Sequence, residues 1–158
     1  MKPKLIFSDR DTERVKLLQQ GFETHSRITA RLLSAHEVRR LPNLDAFYLS
    51  IMAAERWGAR PIVHEVQVLR TTPKDQSEGW PAFVIAGLAL REGEDPFDAR
   101  FGLSLLIRAV LKAVKNFNVE GGDTISGVGF ESSWTGIDRL PALEAAQIIC
   151  AAYDDAPE

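Results

Sequence analysis

The fold class the sequence predicts is α/β: a three-layer α/β/α sandwich with a mixed, mostly parallel sheet of about six strands. Three observations predict it. Short apolar runs alternate with amphipathic stretches along the whole chain. One run, "WPAFVIAGLAL" (80–90), is almost wholly apolar, as in a strand covered on both faces. The connections are short and punctuated by Gly, Pro and Asp.

The elements follow in order. "KLIFSDRD" (4–11) opens as a strand with Leu5, Ile6 and Phe7 as its buried run, and breaks at an Asp-rich turn. "DTERVKLLQQGF" is helical, with Asp11 as N-cap, Val15, Leu17 and Leu18 as the apolar stripe, and Gly21 as the stop. "RITARLLS" (27–34) reads as a second strand, "AHEVRRLPN" as one helical turn, and "DAFYLSI" (45–51) as a third, aromatic strand. "MAAERWGAR" is a short helical piece. "PIVHEVQVLR" (61–70) alternates as a half-buried strand and is joined to 80–90 by the polar connection "TTPKDQSEG".

The strongest helical signal is "PFDARFGLSLLIRAVLKAVKNF" (96–117). Phe97, Phe101, Leu105, Ala109, Ala113 and Phe117 recur four apart and are predicted to face the core. Arg100, Ser104, Arg108 and Lys112 are assigned to the opposite, solvated face. "DTISGVGF" is the last strand and 141–153 the last helix, with Pro141 in its first turn, where a missing N–H costs nothing. The chain reads as one domain over 1–158, with 154–158 expected to fray.

With 158 residues, 45% hydrophobic and 26% charged, the chain has ordinary globular composition and enough length for a sizeable core. A net charge of −3 argues against a broad nucleic-acid surface, so nucleic acid is not an expected partner. No apolar run approaches the roughly 20 residues that span a bilayer, so neither is a membrane. The run at the start stops at Phe7, too short for a signal peptide. Cys150 is the only cysteine, which fits a reducing cytoplasm, and its place on the last helix's apolar face makes it a small core residue.

Ligands of open α/β sheets bind at the carboxyl ends of the strands, so the loops Ser8–Asp11, Ser50–Ala59, Leu90–Pro96 and Gly127–Leu140 are where a site is expected. In the last of these, "ESSWTGIDRLP", Ser133, Trp134, Thr135, Gly136 and the amides through Ile137 are placed to cradle an anion ahead of a helix; an ordinary strand-to-helix turn explains the same residues. Trp57 and Trp134 lie in facing loops, where they either stack on a ligand ring or fill the cleft themselves. Asp9 either touches a ligand or caps the following helix. His25, His36 and His64 have no metal-ligand spacing, and no nucleophile elbow or Cys–His pair is present. The sequence therefore points to no catalytic residue, no metal and no cofactor.

The order of these stretches resembles a macro domain, the α/β/α module that binds ADP-ribose, and is nearest in texture to bacterial and phage macro-like proteins. The first strand ending in Asp9, the strand "DAFYLS" ending at Ser50, and "VGFESSWTGIDRLPALEAAQIICAAY" carry the likeness, with Thr135-Gly136-Ile137 its best-matching fragment. The resemblance implies a cleft formed by Asp9, Ser50, Trp57, Ser133, Trp134, Thr135, Gly136 and Ile137. The chain departs from the family at three places. "LLSAHEV" has Ser34 and Ala35 where the family carries Gly and Asp. "SIMAAERWGARP" lacks the loop Asn, and "SSWTGID" keeps one glycine of several and adds Asp138. Glycine is what lets a diphosphate lie against backbone. The implied protein is a non-catalytic macro-like module that binds ADP-ribose weakly or meets a protein partner or an altered ligand. The alternative is a working nucleotide-binding domain, and a third is an ADP-ribosyl hydrolase.

Overall fold

The computed structural model describes residues 1–33, 66–71, 73–77, 82–87, 96–120, 124–132 and 137–158. Within them the order is β1 (Lys4–Asp9), α1 (Thr12–Gly21), β2 (Ile28–Leu32), β3 (Val66–Arg70), α2 (Pro73–Ser77), β4 (Phe83–Gly87), α3 (Pro96–Glu120), β5 (Gly127–Glu131), a 3₁₀ turn (Ile137–Arg139) and α4 (Ala142–Asp155). The protein is α/β. Its described sheets are a parallel three-stranded one, ordered β2-β1-β5, and an antiparallel pair, β3-β4.

Side-chain alternation decides which face of the parallel sheet is covered. Leu5 and Phe7 of β1, Ile28 and Ala30 of β2, and Val128 and Phe130 of β5 stand in register and are buried. Their ridge is continuous: Phe7 stacks on Phe130 with ring centroids 4.7 Å apart and also meets Phe22 at 5.5 Å. On the other face Lys4, Ile6, Thr29 and Gly129 are exposed. The helices α1, α3 and α4 close over the buried face, with α4 between the other two.

The helices start and pack for identifiable reasons. Asp11 has extended backbone and its carboxylate accepts from the amides of Glu13 and Arg14, the N-cap role predicted for it. Gly21 is the last helical residue, but its use is in packing. A Cβ there would lie 2.4 Å from the Cβ of Ala146, so the glycine lets α1 and α4 approach closely. Leu17 is 39% exposed, which removes it from the stripe that Val15 and Leu18 form. Pro141 stands at the cap position of α4 rather than in its first turn, and its carbonyl accepts from Ala145.

The face of α3 differs from the prediction. Phe101 is 63% exposed, Leu105 and Ala109 are only half-buried, and the core side holds Ala99, Leu103, Leu106, Ile107, Val110, Leu111 and Val114. A strict four-residue spacing advances about 40° per step on a helix of 3.6 residues per turn, so the predicted series winds around it. The observed series mixes steps of three and four and stays on one side. Of the predicted stripe, Ala109 and Ala113 pack against the core from its edge, and Phe117 meets Phe83 edge-to-face at 5.0 Å.

Three further differences are local. The polar connection after β3 contains the short helix α2. In the tail, Asp154 and Asp155 are helical and Ala156 is buried in the core. Asn118 of α3 brackets the entry to β5, donating to the carbonyl of Ile125 (3.0 Å) and accepting from its amide (2.7 Å). The expected helical turn after residue 34, the strand 45–51 and the helical piece 52–60 lie outside the described residues.

Candidate functional site

The carboxyl end of the parallel sheet carries Asp9 at the end of β1 and Glu131 at the end of β5. The chain moves from β1 to β2 on one side, and β5 lies on the other side of β1. This is the kind of switch in strand order at which open sheets bind ligands.

Asp9 is 7% exposed, and both of its carboxylate oxygens have partners. Oδ1 accepts from the amide of Asp11 at 2.9 Å, which tightens the turn into α1. Oδ2 accepts from Nε of Arg14 at 3.2 Å. The rest of the Arg14 guanidinium crosses to the chain before α4: Nη1 donates to the carbonyl of Leu140 and Nη2 to that of Ile137, each at 2.8 Å. A planar guanidinium suits this use, because its fork meets two carbonyls while a third donor holds the carboxylate. Asp9 is thus not the helix cap. Asp11 caps the helix, and Asp9 fixes Arg14.

The connection from β5 to α4 is held at both ends. At its start Ser132, 2% exposed, donates from Oγ to the carbonyl of Ser8 at 3.2 Å. At its finish Arg14 grips Ile137 and Leu140. The stretch 133–136 runs between these two anchors, both attached to β1 or to the helix that leaves it. Ile137 is fully buried, so its side chain belongs to the core and only its backbone faces the turn. Ser50, Trp57, Ser133, Trp134, Thr135 and Gly136 lie outside the described residues.

Sequence reasoning missed Arg14 as a residue of this corner. Its partners are 123 and 126 positions away, beyond any local pattern. The one signal was an arginine placed just inside a helix that follows a strand-end aspartate and a cap aspartate, as Asp9, Asp11 and Arg14 stand.

The opposite, amino end of the sheet is closed by a second polar cluster. Tyr153 of α4 donates its hydroxyl to the carbonyl of Pro3 at 2.8 Å and accepts from Nε of Arg27 at 3.1 Å. Arg27 also donates to the carbonyl of Lys2, and Lys2 Nζ donates back to the carbonyl of Tyr153 at 2.6 Å. His25 lies edge-on against the Tyr153 ring at 5.2 Å and pairs with Asp154 at 2.9 Å. A cavity of about 230 Å³ opens beside this cluster, between residues 1–3, the second half of α3 and Pro157.

Cys150 is half-buried against the core. Burial, and then the charge of Asp154, push its thiol up from the ordinary range, so it stays protonated and is a poor nucleophile. Among the described residues no group of His, Cys, Asp or Glu is arranged to hold a metal. No helix among them is long and apolar enough to cross a membrane.

Comparison of the chain with protein-family models, with curated proteins and with solved structures finds no match.

Proposed function

We propose that the chain is a divergent, non-catalytic macro-domain-like module of the three-layer type, with a mixed sheet of about six strands, working in the cytoplasm. Its cleft lies at the carboxyl end of the sheet, with Asp9, Ser50, Trp57 and Ser133 to Ile137 around it. It acts through a protein partner or an altered ligand and binds ADP-ribose weakly or not at all. One observation carries this reading: the strand–turn–helix frame around 133–136 is anchored at both ends, while Asp9 is fully engaged by Asp11 and Arg14. Both ends of the proposed ligand loop are held, and the carboxylate at the end of β1 is buried against Asp11 and Arg14. The sequence adds Trp134 and Asp138 and removes the glycines, each of which opposes a diphosphate.

Titration calorimetry with ADP-ribose tests the reading, with no saturable heat at micromolar concentrations as the expected result. Micromolar affinity that survives Trp134→Ala and is lost in Gly136→Val overturns it. That outcome would favour the second reading, a working ADP-ribose- or nucleotide-binding domain. The observation on its side is that the cap residue of α4, Pro141, supplies no side-chain hydrogen bond to the first amides of the helix. An ADP-ribosyl hydrolase is the third reading, and measurable turnover abolished by one substitution in 50–60 or 130–138 would establish it.

A further inference from the structure

The cavity of about 230 Å³ at the amino end of the sheet lies away from the candidate cleft, and its walls are held in place. One wall is the strap of residues 1–3. Its backbone is tied at two carbonyls, that of Lys2 by Arg27 and that of Pro3 by the Tyr153 hydroxyl. The facing wall is one side of α3, from Leu111 and Val114 to Asn118 and Val119. Leu111 and Val114 belong to the core and form the floor, and the side-chain amide of Asn118 is fixed by both main-chain groups of Ile125. The tail supplies the third side, because Ala156 is buried and brings Pro157 and Glu158 to the lip. A space bounded in this way needs little ordering before a ligand enters. It is also larger than the roughly 150 Å³ that admits a benzene ring.

The lining is apolar within and positive at the mouth. Leu111, Val114 and Pro3 offer apolar surface, and Val119, 79% exposed, adds an apolar side chain at the lip. Three charged side chains line the cavity: Lys2, Lys115 and Glu158. Lys2 directs its ammonium to the carbonyls of Tyr153 and Asp154. Lys115 is exposed and has no hydrogen bond or ion pair with any described residue. It stands one turn after Leu111 on α3, and helical side chains lean toward the preceding turn, so its stem runs over the apolar floor. Glu158 is exposed in the tail beyond α4 and is outnumbered by the two ammonium groups.

We infer that this cavity is a binding site for a small free carboxylate with an apolar body, the body on Leu111, Val114 and Val119 and the carboxylate on the ammonium of Lys115. The site shares no residue with the candidate cleft, so neither reading depends on the other.

Methyl NMR at about pH 7 tests the inference with three probes of one length: hexanoate, hexanamide and hexylammonium. Hexanoate is expected to shift the methyl signals of Leu111, Val114 and Val119 saturably, with half-saturation at roughly millimolar concentration. Hexanamide should move the same signals at about three- to fivefold higher concentration, since it lacks only the ion pair. Hexylammonium should bind more weakly than either. Lys115→Met keeps an apolar stem and removes the charge, so hexanoate should weaken about three- to fivefold while hexanamide is unchanged. Val119→Asp places a carboxylate at the lip and should weaken hexanoate more than Lys115→Met does. Both positions are exposed, and the remaining methyl signals show that each variant keeps the fold. The absence of saturable shifts at Leu111 and Val114 overturns the inference. So does hexylammonium binding as tightly as hexanoate, or hexanoate binding that Lys115→Met leaves unchanged.

Discussion

At the amino end of the parallel sheet Tyr153, Arg27 and Lys2 share partners in a closed circuit. Tyr153 takes a bond from Arg27, Arg27 gives one to the carbonyl of Lys2, and the Lys2 ammonium returns to the carbonyl of Tyr153. At the carboxyl end the described bonds of Arg14 and Ser132 go to different partners. Arg14 holds Asp9, Ile137 and Leu140, while Ser132 holds the carbonyl of Ser8. The difference is one of wiring. A circuit with shared members responds as a unit when one is removed, and separate anchors respond one at a time. The end built as a unit ties the chain's first residues to its last helix. At the other end the two anchors flank residues 133–136 in the chain, where the site is proposed.

The largest effect is expected at Arg14. Arg14→Ala leaves the buried carboxylate of Asp9 without its cation and frees the carbonyls of Ile137 and Leu140 together. Breaking a buried pair from one side costs about 3–5 kcal/mol, and Asp9 at 7% exposure places this variant in that range. Denaturant unfolding measures the loss. Arg14→Lys should recover part of it, because an ammonium restores the charge but lacks the planar fork. Full recovery with Lys would mean that charge alone holds this corner.

At the other end Tyr153→Phe keeps the ring and its packing and removes only the hydroxyl. That hydroxyl both donates to Pro3 and accepts from Arg27. Its loss is expected to cost about 1–3 kcal/mol, the range for leaving buried hydrogen-bonding groups unsatisfied. Combined with Lys2→Ala, the two losses should fall short of or exceed their sum by at least about 0.5 kcal/mol, as neighbours in one circuit do. Strict additivity would break the comparison drawn above.

The parts of the molecule legible in the sequence are those governed by short-range rules. β1, β2 and β5 show as short apolar runs beside turn residues, and Asp11 shows as a cap because its partners are two and three residues on. The extent of α3 was legible, but its buried face was not. That face depends on what α4 and the sheet present to it, and the four-residue spacing of the phenylalanines gave the wrong side. Gly21 shows why the cause of a legible feature can still be hidden. A helix-ending glycine is a local signal, yet its reason lies in Ala146 on another helix. The candidate site was the least legible. Asp9 reads as a ligand contact or a cap, neither of which names its partner Arg14, and no local pattern links Arg14 to Leu140. His25 carried no motif, and its partner Asp154 is 129 residues away.

The smallest expected effect falls at the entry of the candidate loop. Ser132→Ala removes a hydroxyl that is 2% exposed and donates to the carbonyl of Ser8. A methyl group fits the same space, so no cavity is created and the cost is that of the lost hydrogen bonds, about 1 kcal/mol. The exit of the loop has different partners, which makes the effect a local one. Hydrogen exchange should therefore speed up for amides near Ser132 and stay unchanged at Leu140, whose amide is held by the carbonyl of Ile137 under the Arg14 grip. The double variant Ser132→Ala with Arg14→Lys should lose the sum of the single losses to within about 0.5 kcal/mol, because the described bonds of the two anchors go to different partners. A coupling above about 1 kcal/mol would mean that the four residues 133–136 transmit strain from one anchor to the other. The carboxyl end would then be a circuit as well, closed through the loop itself. A loop stiff enough for that would be a preformed site, and the reading of this cleft as a working ligand pocket would gain over the one proposed here.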